Sequence, residues 1–183
     1  MSDRVVGVVL AAGAGRRFGH PKATVGDWLT TAVNALRDGG CAEVVVVLGA
    51  AEVPPVPATT TVVTQEWAEG MSASVRTGIG AAQRLDGAYA ALHVVDTPDV
   101  GADVVARVIE RATADPSGIA RASFAGRPGH PVVIARRHWA DLLPTLSGDR
   151  GAAAYLRTVP AQTVECGDLA TGRDIDEPGD LER

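Results

Sequence analysis

The chain has 183 residues, a net charge of −5, 46% hydrophobic and 21% charged residues. That length favours a single domain over residues 1–183, and the composition is too apolar for disorder. The acidic balance argues against a nucleic-acid binder, which carries a basic stripe; no apolar run reaches the ~18 residues of a membrane helix; and Cys41 and Cys166 are too few for a disulfide framework or a cysteine zinc site.

The opening Met1-Ser2-Asp3-Arg4 lacks the apolar core of a signal peptide, so a soluble, cytoplasmic protein is expected, with neither nucleic acid nor membrane as partner. Val5 to Leu10 then reads as a strand buried on both faces. Trp28 to Arg37 places Leu29, Ala32, Val33 and Leu36 at helical spacing, and Gly39-Gly40 stops the helix. Val44 to Leu48 is a second strand, Pro54-Pro55-Val56-Pro57 an extended loop, and Thr60 to Thr64 a weaker strand. Ser72 to Leu85 carries Val75, Ile79 and Ala82 on one helical face. Tyr89 to Val95 is another buried strand, Ala102 to Ala112 a helix, and Pro131 to Ile134 a weaker strand. This order predicts an α/β protein: three layers, Rossmann-like, with a mainly parallel sheet and helices on both faces. Ligands of such sheets lie beyond the carboxyl ends of the strands. Function is therefore sought after Leu10, Leu48 and Val95.

The first of these places carries Leu10-Ala11-Ala12-Gly13-Ala14-Gly15-Arg16-Arg17-Phe18-Gly19-His20-Pro21-Lys22. Small residues let a phosphate approach the backbone, and glycines allow successive N–H groups to point into one concavity. Arg16, Arg17 and Lys22 add positive charge, and Lys22 is the only lysine of the chain. A dinucleotide fingerprint fails here, because Phe18 takes the place of its third glycine and no acid ends the second strand. A Walker loop fails too, for want of a Lys-Ser or Lys-Thr pair after the glycines. A polyphosphate suits what is left. After the strand ending at Val95, Asp96 offers a carboxylate to a hard cation such as Mg²⁺, which takes one or two carboxylates plus phosphate and water. As an alternative Asp96 could cap the next helix, a task for which Asp99 and Asp103 are better placed.

LAAGAGRRFGHPK resembles the signature of nucleotidyltransferases related to molybdenum cofactor cytidylyltransferase and guanylyltransferase. Arg17, Gly19 and Lys22 fall on the arginine, glycine and lysine of that signature. The resemblance continues through Trp67 to Gly78, Asp96-Thr97-Pro98, Gly126 to Pro131, Gly148 to Ala152 and Asp174 to Leu181. It departs at Thr97, at the short Ala23–Asp27 connection and at the proline loop. It implies Arg17, Lys22 and Asp96 as catalytic residues. Leu10, Ala11, Ala12, Gly13, Gly15, Ser72, Ser74 and Gly78 would bind the nucleotide, and His130 would lie at the acceptor. Asp96 and Asp174 would contact Mg²⁺, while Asp176 reads as structural.

The implied reaction transfers CMP from CTP to a phosphorylated small molecule such as molybdopterin, with a molybdoenzyme or cofactor-insertion protein as the kind of partner. The LAAG form favours CTP over GTP. Two rivals are an NAD(P)H-dependent oxidoreductase on the same scaffold, similar to nicotine blue oxidoreductase, and a nucleotide-binding protein without turnover.

Overall fold

The structure, a computed structural model, describes residues 3–182. Its centre is a seven-stranded sheet in the order β3-β2-β1-β4-β6-β5-β7. The strands are β1 (Val5–Leu10), β2 (Glu43–Leu48), β3 (Thr60–Val63), β4 (Tyr89–Val94), β5 (Ile119–Phe124), β6 (Arg127–Ala135) and β7 (Gln162–Glu165). β1 pairs in parallel with β2 and β4, and β6 runs antiparallel to both β4 and β5. The helices are α1 (Trp28–Asp38), α2 (Met71–Arg84), α3 (Ala102–Ala114), α4 (Trp139–Leu142) and α5 (Ala153–Leu156).

Alternation along β1 builds both halves of the core. Val5 and Val9 join α1 and α3 on one face, with Trp28, Leu36 and Val105. Val6, Val8 and Leu10 face α2 on the other, with Val75 and Ile79. A parallel crossover is right-handed, so α1, which leads from β1 towards one edge, and α2, which leads back past β1 to β4, must take opposite faces. Close packing needs a glycine in α2: a Cβ on Gly78 would overlap Val8 Cγ1.

The expected fold class is the one observed. β5 and β7 are additions to the expected strands, and β6 runs from Arg127 to Ala135 where only Pro131 to Ile134 was apolar enough to mark it. The physical cause is composition. β5 holds three alanines or serines and Arg121 among its six residues, and β7 buries only Val164. The chain passes from a 3₁₀ turn at Lys22–Thr24 straight into α1, and no regular element lies between Leu48 and Thr60. No helix among the described residues is long and apolar enough to cross a membrane.

Candidate active site

Connections from the carboxyl ends of the neighbouring strands β1 and β4 run in opposite directions along the sheet, which opens a crevice between them. A cleft of about 510 Å³ lies there. Its walls are residues 10–18 with Lys22 and Ala23, then Trp67, Ala68, Gly70, Met71 and Ser74, then Val94 to Asp96, with Asp149 and Asp176.

The loop after β1 is anchored at both ends. Ala11 N–H donates to the Val47 carbonyl and Ala50 N–H to the Ala12 carbonyl, so its start continues the ladder with β2. Phe18 is buried and its ring meets Trp28 of α1 with centroids 5.6 Å apart. Between the anchors the chain turns on Gly15, whose φ of +62° and approach to the His20 carbonyl exclude any side chain. Gly19 N–H closes the turn on the Gly15 carbonyl at 2.8 Å. Arg16 and Arg17 are left exposed on the rim.

At the centre stands Lys22. Its Nζ donates to Asp96 Oδ2 at 2.8 Å and to Asp176 Oδ1 at 2.9 Å, and Arg17 reaches Asp176 at 3.2 Å. Burial by itself would push the Lys22 ammonium down; the two carboxylates outweigh it, and the net displacement is upward. Asp174 follows the opposite logic. Desolvation, then the charges of Asp96 and Asp176, hold its carboxyl above the usual carboxylate range.

Asp176 reaches the site because Ile175 N–H donates to the Asp96 carbonyl at 2.9 Å. Asp180 fixes the following turn, accepting from the Asp176 and Glu177 N–H groups and pairing with Arg173 at 2.8 Å. Asp176, expected to be structural, lines the cleft and pairs with both cations of the motif. Asp99 and Asp103 do not cap α3 either. Gly101 is the N-cap with no side-chain bond, and Asp99 instead accepts from Thr171 N–H and Oγ1.

The remaining expected residues divide. Leu10, Ala11, Ala12, Gly13, Gly15 and Ser74 line the cleft with Arg17, Lys22 and Asp96. Ser72, two residues before Ser74 in α2, is buried outside the cleft lining, and its Oγ finds no partner among the described residues. Gly78 faces β1 and Asp174 lies beside the cleft wall, and neither is part of the lining. His130 lies in β6 beside the end of β4 and is not part of the cleft lining. Burial, then the Arg121 charge, lowers its pKa to about 4 against the opposing pull of Asp96. His93, fully buried in β4, is lowered to about 3 by burial and then by His130. Sequence reasoning missed Trp67, Met71 and Asp149 as walls; Asp149 had a signal, since it lies in a segment already matched to the nucleotidyltransferase pattern.

Two carboxylate oxygens within 3 Å of one Nζ define a point that a hard cation could also occupy. No group of three or more His, Cys, Asp or Glu suited to hold a metal occurs among the described residues. Asp96 and Asp176 could supply two carboxylate ligands to a divalent cation that draws its other ligands from phosphate and water.

The sheet order, the glycine loop after β1 and the acid after β4 define a Rossmann-like fold of the nucleotide-diphospho-sugar transferase type. The chain belongs to the MobA-like NTP transferase domain family, whose model matches residues 7–165. It is 36% identical over 194 residues to nicotine blue oxidoreductase of Paenarthrobacter nicotinovorans, covering 94% of this chain and 92% of that protein. The crystal structure of Rv0371c from Mycobacterium tuberculosis H37Rv superposes with a TM-score of 0.83 at 24% identity, covering 100% of this chain and 97% of that one. Another crystal structure of Rv0371c is a complex with manganese, at TM-score 0.77 and 23% identity over 98% of this chain and 97% of that one. The 2-C-methyl-D-erythritol 4-phosphate cytidylyltransferase of Thermus thermophilus superposes at 0.73 with 24% identity, over 100% and 96% of the two chains.

Proposed function

We propose that this protein is a divalent-metal-dependent nucleotidyltransferase that moves CMP from CTP onto a phosphorylated acceptor such as molybdopterin. The observation that carries this reading is the convergence of Lys22, Asp96 and Asp176 opposite a glycine loop whose rim holds Arg16 and Arg17. An acceptor phosphate oxygen attacks the α-phosphorus of CTP; the α–β phosphoanhydride bond breaks and pyrophosphate leaves. Backbone N–H groups from Ala12 to Gly15 hold the triphosphate above the floor made by Leu10 and Ala11, and Arg17 and Lys22 stabilise the charge that builds on the leaving group. Mg²⁺, when bound at Asp96 and Asp176 with Asp174 nearby, supplies further charge neutralisation. The manganese bound by Rv0371c supports a divalent cation on this scaffold. In this reading Ser74, in the cleft wall, meets the base or sugar, and His130 serves the acceptor as a neutral imidazole. The LAAG form and the cytidylyltransferase likeness support CTP.

The similarity to nicotine blue oxidoreductase favours a second reading, in which the same cleft takes NADH or NADPH. Calorimetric titration with CTP, GTP, NADH and NADPH, each with and without Mg²⁺, separates the two. Mg²⁺-dependent CTP binding is the expected result, and CTP at a hundred times its Kd stabilises the fold by about 2.7 kcal/mol. Tight NADPH binding with no CTP binding would overturn the transferase reading. CTP binding without pyrophosphate release in the presence of any phosphorylated acceptor would reduce the protein to a nucleotide binder.

A further inference from the structure

Among the described residues five arginines are half-buried: Arg4, Arg76, Arg107, Arg121 and Arg173. Four are neutralised by a carboxylate, from Glu43, Glu66, Asp168 and Asp180 respectively, at 2.6 to 3.2 Å. Arg121 is the exception. Its Nε donates to the Gly129 carbonyl at 3.1 Å, and neither terminal nitrogen bonds to any described residue. Partial burial of a guanidinium without a counter-ion is unfavourable, and burial accordingly holds its pKa below the ordinary range. The Nε bond sets the plane of the fork and leaves both terminal nitrogens free. That is the arrangement with which arginine takes an oxyanion bidentately.

The sheet places this fork in line with the candidate active site. Arg121 of β5 is the register partner of Val132 in β6, and Val132 is the partner of Leu92 in β4. His130 lies two residues before Val132, towards the end of the sheet where Asp96 follows β4. Neighbouring strands β1, β4, β6 and β5 thus carry, in that order, the glycine loop, Asp96, His130 and Arg121. The strand that carries His130 lies between those that lead to Asp96 and carry Arg121, and burial and the Arg121 charge lower the His130 pKa while Asp96 raises it. A substrate laid across the strand ends with its polyphosphate on the β1 loop would extend its other end over His130 to Arg121.

We propose that Arg121 and His130 form an oxyanion subsite, which takes a terminal phosphate or carboxylate of the second substrate on the far side of Asp96 from the nucleotide. Its place in a reaction rests on the transferase reading above; the binding of an anion there does not. Arg121 supplies a fixed two-donor fork, and the neutral His130 adds a hydrogen bond without asking for a second counter-ion. This assigns the second substrate to anionic small molecules and makes Arg121 the residue that selects them.

The test follows the His130 imidazole signals by NMR in the whole protein at pH 7.5, assigned with His130→Gln, during titration with inorganic phosphate and separately with acetate. A saturable shift is expected in the wild type and also in Lys22→Ala, whose glycine-loop anion site is weakened. Arg121→Gln is expected to raise the dissociation constant for that shift about tenfold or more, the size of a lost charge-assisted bond. Arg121→Lys, which keeps the charge and loses the fork, is expected to fall between, and carries the test if Arg121→Gln does not fold. Tighter phosphate than acetate identifies a phosphorylated group, and the reverse order a carboxylate. Signals that neither anion moves would overturn the proposal. So would a shift that vanishes in Lys22→Ala and survives in Arg121→Gln, because the anion would then sit only in the glycine loop. The Gly13 and Gly15 amides, followed in the same samples with CTP and Mg²⁺, report on the transferase reading separately.

Discussion

Lys22→Met keeps the bulk of the side chain and removes its charge, so it tests whether the lysine stands in for a cation between Asp96 and Asp176. Two charge-assisted bonds are lost, at 2.8 and 2.9 Å. Each such bond contributes about 1.5–3 kcal/mol when buried. The three side chains are 14%, 23% and 36% exposed, so solvent screens part of this, and the pair together is worth about 2 kcal/mol. For a chain of this length that corresponds to a fall in Tm of about 4–8 °C. The Lys22 pKa is raised on folding, so its contribution is complete below its unfolded value of 10.5 and is lost only as pH rises through the higher folded value. A measurement at pH 7.5 therefore reads the whole effect. Without the ammonium, two carboxylates face the same point and attract Mg²⁺ more strongly. Scanning calorimetry with and without about 10 mM MgCl₂ should show the cation recovering much of the lost Tm in Lys22→Met and far less in the wild type. A variant within about 1 °C of the wild type, or an equal Mg²⁺ gain in both proteins, would refute the reasoning.

Other perturbations read different parts of the structure. His93 is neutral in the fold and protonated when unfolded between pH 6.5 and about 3, so it subtracts stability as pH falls through that window, on the order of 4 kcal/mol; His93→Gln should flatten the pH dependence of the urea unfolding free energy, and equal slopes in both proteins would rule this out. Glu165 accepts from Ser123 Oγ and from the Ala125, Gly126 and Gly167 N–H groups, and these bonds, led by that of Ser123, lower its carboxyl to about 2. The stability it contributes is present above pH 4.5 and lost as pH falls towards 2, so the Tm gap between wild type and Glu165→Gln should be open at pH 7 and closed near pH 2. Gly78→Ala places a Cβ against Val8 Cγ1; overpacking of about 1–3 kcal/mol outweighs a helix-propensity gain of about 1 kcal/mol, so calorimetry should show a lower Tm with CTP affinity unchanged, and lost affinity at unchanged Tm would return Gly78 to the nucleotide site.

The sequence by itself determined the parts of this protein whose physics is local. β1, β2 and β4 are covered on both faces, so their apolar runs are continuous and legible, and the glycine loop follows β1 directly with its cations attached. Arg17, Lys22 and Asp96 could be chosen because each lies in a segment that follows a recognisable strand, on the side of the sheet where ligands of such folds bind. Where burial is one-sided or partial, the signal fades. β5 was hidden by Arg121 and three small residues, and β7 by its four-residue length and a single buried valine. Ser72 and Ser74 are two residues apart in α2 and so point to nearly opposite sides of the helix, and only the packing of α2 on the sheet decided that Ser74 lines the cleft and Ser72 does not. Asp176 was decided by tertiary structure alone. It lies 154 residues from Lys22 in a segment without periodicity, and a single backbone bond from Ile175 to the end of β4 delivers it to the lysine. The same long-range geometry left Arg121 without a carboxylate partner among the described residues, a feature that no local pattern in the sequence marks.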